Sequence, residues 1–214
     1  MDRRLARFFS IAWRGLVVLF TIEIAAVSAM RYLTHSQTPP SVITDNAFAN
    51  PFLILHVAGG VTALLLGPLQ FVRRIRERVP ALHRATGRVY AGACTIGAPA
   101  GFMLALGTTA GPVASVGFAI PAVLWPIFTY LGVRAAIERR FDEHREWMLR
   151  SYAVTATAIT LRLMLPAAGL MGIPFFPAYR VISWISWMTN LALFEVYLRR
   201  TRLAKADEPR LAMA

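Results

Sequence analysis

Charge is scarce in this chain. Asp, Glu, Lys and Arg make up 16% of its 214 residues, where ordinary soluble domains carry about 25%. Hydrophobic residues reach 57% and mean hydropathy is +0.52. A single soluble core cannot bury that much apolar surface, so the composition selects an integral membrane protein. Cysteine is nearly missing too. With Cys94 alone, the chain has no intramolecular disulfide and no cysteine cluster for zinc or iron–sulfur. Its setting among small residues marks Cys94 as a packing residue. The motifs of soluble enzymes are also lacking: there is no nucleophile elbow with a Ser–His–Asp order, no HExxH and no glycine loop before a lysine. No internal repeat of useful length is present.

In place of these the chain has long apolar runs. A spanning helix needs about 20 largely apolar residues, and the windows at about 11–33, 51–72, 89–110, 113–133, 151–172 and 178–198 meet that requirement. The expected fold is all-α, a polytopic bundle of six transmembrane helices. Residues 1–203 form a single transmembrane domain, followed by a polar tail at 204–214 that is expected to fray. The first window carries Arg14 and Glu23. It also resembles a signal sequence, with a basic start and the small residues Ala25, Ala26, Ser28 and Ala29. Glu23 in the apolar stretch favours a retained helix.

The formal net charge of +12 raises the question of nucleic acid. The bases, however, sit in short clusters between apolar runs, at 3–14, 73–88, 134–150 and 199–210, and no nucleic-acid-binding signature accompanies them. Six crossings place all four clusters on one side. Only Arg31 and Arg180 fall on the other side, and Arg162 falls within a span. By the positive-inside rule both termini are cytoplasmic, and the basic loops meet anionic headgroups there.

Small residues and prolines mark expected packing. Ala93, Gly97 and Gly101 recur every four residues and admit a neighbouring backbone, as do Gly59 and Gly60. Pro121 and Pro126 each remove a backbone donor and are expected to bend the fourth span. Trp184 and Trp187 lie too deep for an interface belt and are expected to pack or line a cavity. Asn190 is placed to hydrogen-bond between helices. Glu195 lies nearer the cytoplasmic end, within reach of water or an arginine.

Two constellations can carry chemistry. Arg162 lies roughly 16 Å into its span at 1.5 Å per residue, and an arginine at that depth requires a protein partner. Glu23 is at comparable depth and His56 slightly outward, so Glu23, His56 and Arg162 form a candidate buried polar site. The bland alternative is an ion pair that fixes helix order. The second constellation is cytoplasmic. ALHRATGRVYAG places His83, Arg84 and Arg88 at the head of the third span, where Pro80 favours a helix start. FDEHREWMLRSYA places His144, Arg145, Trp147, Met148 and Arg150 at the head of the fifth. Two histidines at matching depth are the minimum for bis-histidine haem or part of a metal site, and Arg84, Arg88 and Arg150 suit propionates, quinone oxygens or lipid phosphates. Solvated histidines in basic loops are the bland alternative. His35 reads as a surface residue.

His56 with Gly60, then LLLGPLQF, LHRATGRVY, HREWMLRSYAVTATAITLR and a late WMTN resemble the bacterial multi-pass membrane proteins grouped as domain of unknown function 2306. The resemblance runs from about Pro51 to Glu195. The matching positions are His56, Gln70, His83, Arg84, Gly87, Arg88, Tyr90, His144, Trp147, Met148, Arg150, Ser151 and Arg162. It implies a helical protein of the bacterial inner membrane and no established activity or cofactor. Three functions fit these residues. The leading one is a redox protein holding haem b or quinone at the cytoplasmic histidine pair. The others are a small proton-coupled transporter using Glu23, His56 and Arg162, and a non-enzymatic subunit that binds lipid or a membrane partner.

Overall fold

The computed structural model describes residues 19–28, 30 and 45–211, with side chains described through 202. Much of the first expected span, with its signal-like start, Arg31 and His35, lies outside the described residues. Those that are described form helices joined by short turns, grouped in two compact units at 1–109 and 110–214.

The first unit contains α1 (Leu19–Ser28), α2 (Ala49–Gln70), α3 (Arg73–Arg78) and α4 (Pro80–Leu106). Helices α2 and α4 run antiparallel. Small residues let them approach: a Cβ on Gly59 would lie 2.6 Å from Ala93 O and 2.8 Å from Gly97 Cα. Gly60 faces open space instead, so of the two glycines only Gly59 serves the contact. At the far end Asn46 Nδ2 donates to Leu104 O at 2.7 Å, and Ala47 N donates to Gly107 O at 3.2 Å. Pro80 stands in the first turn of α4, where its missing N–H costs nothing. The helix therefore begins well before residue 89, because basic residues can extend it past the apolar stretch.

The second unit contains α5 (Pro112–Ile137), α6 (Phe141–Thr155), α7 (Thr157–Leu170) and α8 (Phe175–Leu211). Gly111 precedes α5 with φ +91°, a conformation that favours glycine. Helix α5 runs as one helix from Pro112 to Ile137 with Pro121 and Pro126 inside it. Pro121 cannot donate to the Gly117 carbonyl, and the indole of Trp187 donates to that oxygen at 3.0 Å. Trp184 does the same to Val113 O at 3.0 Å. Both tryptophans thus tie α8 to α5. The expected fifth span is two helices meeting at Ala156, which together make one 30-residue crossing. Helix α8 continues into the polar tail, where Ala204, Lys205 and Ala206 favour helix.

Among the described residues, five helical stretches are long and apolar enough to cross a membrane: Ala49–Gln70, Pro80–Leu106, Pro112–Ile137, Phe141–Leu170 and Phe175–Arg202. Only 22–33% of the most apolar 18-residue window of each is buried, and Ile54, Ile96, Val116, Ile185 and Leu193 all point outward. A surface of that kind suits hydrocarbon rather than water.

Candidate functional site

In the first unit the polar side chains lie along the α2–α4 seam. His56 Nδ1 is 2.9 Å from Gly97 O. A carbonyl only accepts, so Nδ1 carries the proton. The ring fits because residue 101 is glycine; a Cβ there would lie 2.7 Å from Nδ1. Further along, the buried Gln70 donates from Nε2 to Thr86 Oγ1 at 2.8 Å, and Thr86 donates to Leu82 O at 2.8 Å. The Gln70 carbonyl rests over Gly87, where a Cβ would be 3.1 Å away. The stretches LLLGPLQF and LHRATGRVY therefore close one helical hairpin, with Tyr90 buried beside them. His83 is half-buried on α4, and Arg84 and Arg88 are exposed.

The second unit repeats the device. His144 Nδ1 lies 2.8 Å from Gly132 O across α5 and α6, so again the δ nitrogen donates. Met148 fills the space that Gly132 leaves; a Cβ there would be 2.6 Å from its Sδ. Donation from Nδ1 leaves the Nε2 lone pair as the ring's ligand atom, the arrangement common among metal-bound histidines.

The α8 side of α6 carries an ion network. Arg150 donates to Glu195 from Nε at 2.5 Å and from Nη2 at 3.1 Å, and its Nη1 is 3.9 Å from Glu146 Oε2. Its guanidinium lies 4.7 Å from the Trp147 ring centroid, a cation–π contact. Trp147 stacks on Phe128 at 5.8 Å. Glu146 also accepts from Arg202 Nε at 2.6 Å and from its Nη2. These groups, with Glu143 and Leu191, line a cleft of about 520 Å³. Trp147 faces α5 beside His144 and Met148, against Phe128 and Gly132, while Arg150 turns towards Glu195 on α8. Glu195 thus has the arginine partner its position suggested. In the turn before α6, hydrogen bonds from Arg134 and Arg140 hold the Glu138 carboxyl below its ordinary pKa.

Glu23 is exposed on α1, and Arg162 is exposed on α7, where its Nη1 donates to Ala158 O at 3.1 Å. They belong to different units, and their pairing remains a proposal. Asn190 fulfils its expected role, accepting from Thr160 Oγ1 at 2.9 Å and donating to Ala153 O at 3.3 Å. Among the described residues, no group of three or more His, Cys, Asp or Glu is placed to hold a metal ion. Nothing in the sequence marks Thr129 and Ser151 as a pair. Their hydroxyls meet at 2.8 Å, both buried, and only the folded contact between α5 and α6 reveals it.

No curated protein and no solved structure matches the chain. A family model described as "Predicted membrane protein (DUF2306)" matches residues 53–198, which takes in most of α2, all of α3 to α7 and most of the apolar length of α8. With five candidate spans and that match over more than half its length, the chain is an integral membrane protein belonging to the DUF2306 family.

Proposed function

We propose that this protein binds haem b in the membrane and serves electron transfer, with quinone as the redox partner. His144 supplies an axial ligand through Nε2. The observation that carries this reading is its Nδ1 donation to Gly132 O at 2.8 Å, which selects the ligating tautomer and fixes the ring. His83 joins the proposal as second ligand on the strength of the sequence alone, with Arg84 and Arg88 as propionate partners. Arg150 fits that role less well, since Glu195 already takes two of its donors. Its part in the proposal is to hold α6 and α8 together beside the histidine.

The test is the visible spectrum of the protein purified from haem-replete cells. A Soret band is expected, and His144→Ala abolishes it while the protein still elutes as a single species. Wild-type protein without a Soret band would end the haem reading. The accompanying topology has six crossings in a bacterial inner membrane with both termini cytoplasmic, supported by the clustering of bases on one side.

A further inference from the structure

The interruption at Ala156 falls among neutral polar side chains of the second unit. Asn190 on α8 bridges it, holding Ala153 O on α6 and Thr160 Oγ1 on α7. Ala153, Thr157 and Thr160 recur at helical spacing, so Thr157 lies between the two groups that Asn190 holds. Ser186 precedes Asn190 by one turn on α8. On α5, Thr129 accepts from Ser151, and Trp125 lies one turn along the same face. Past the break the interior is apolar, with Leu161, Met164, Leu165 and Ala168 against Ala178 and Ile182.

Most hydroxyls here bond back to their own helix. Thr129 donates to Trp125 O, Thr155 to Ser151 O and Ser183 to Arg180 O. Thr157 Oγ1 and Ser186 Oγ do neither this nor anything else, and Trp125 Nε1 has no acceptor; all three atoms are buried. Trp125 is 5% exposed and Ser186 0%. An indole N–H can only donate, and buried polar groups are rarely left unmet.

We infer that water molecules bind along this seam, bonded to Trp125, Thr157 and Ser186, so that the interior of the second unit is hydrated at the break. The groups are neutral, and together they require a partner that both accepts and donates. Water does both, and typically makes about three such bonds when buried. This inference is independent of haem binding.

Cysteine accessibility tests it in the full-length protein in lipid vesicles, with the native thiol removed by Cys94→Ala. Ser186→Cys and Thr157→Cys are compared with Ile185→Cys, whose site points outward from the bundle at 44% exposure. A small hydrophilic methanethiosulfonate reacts with thiolate, which forms only where water reaches. Labelling of the two seam positions at least about tenfold faster than at Ile185→Cys is expected. Equal or slower labelling would overturn the inference. Should Ser186→Cys fail to accumulate, Thr157→Cys carries the same comparison.

Discussion

Arg150 shows how far a charge's value depends on its surroundings. Its side chain is 15% exposed and meets Glu195 at 37%, with two donors engaged and an aromatic face beneath. Hydrogen bonds of this kind contribute about 1.5–3 kcal/mol, less where water still reaches them. A double-mutant cycle of Arg150→Gln and Glu195→Gln, read by thermal unfolding in detergent, should give a coupling of about 1–2 kcal/mol. The Arg73–Glu77 pair has comparable length at 2.7 Å but is 80% and 51% exposed. Its cycle should give no more than about 0.5 kcal/mol. Both pairs use ordinary residue types. Which of them matters was invisible in sequence, because Glu195 lies 45 positions from Arg150 while Glu77 is one helical turn from Arg73.

At the level of the element, the α2–α4 hairpin depends on one glycine of a pair. A methyl on Gly59 would press on the Ala93 carbonyl and the Gly97 backbone, neither of which is a side chain that can swing away. Gly59→Ala should destabilise by about 1–3 kcal/mol through overpacking. Gly60→Ala meets nothing within 4 Å and should be neutral or stabilising by up to about 1 kcal/mol, since alanine favours helix. Melting temperatures of the two variants check the contrast, and equal losses would count against the hairpin packing. The four-residue recurrence of Ala93, Gly97 and Gly101 was legible as a close-approach stripe. That Gly101 seats an imidazole rather than a backbone was not, because spacing gives the face and not its occupant. Likewise the prolines of α5 announced a lost donor, but the tryptophan that satisfies the Gly117 carbonyl comes from α8.

For the whole molecule the proposed orientation can be tested. With six crossings, reporters fused at both termini should report cytoplasm: green fluorescent protein at either end should fluoresce, and alkaline phosphatase there should be inactive. A fusion in the turn at 171–174, between α7 and α8, should give the reverse. An active phosphatase at the carboxyl terminus would refute its cytoplasmic placement, and opposite results at the two termini would refute the even count of crossings. This prediction rests on base clustering, since the start of the first expected span lies outside the described residues.

Sequence by itself determined the class, the rough place of the five described candidate spans, and the stripe of small residues in α4. Each of these follows from local composition and periodicity, which a chain carries wherever it folds. Tertiary structure decided which histidine nitrogen donates, which arginine is already taken by a carboxylate, and where the fifth expected span breaks. Those properties belong to pairs of groups far apart along the chain, and a hydrogen bond or ion pair has no value until packing sets its distance and removes the water around it.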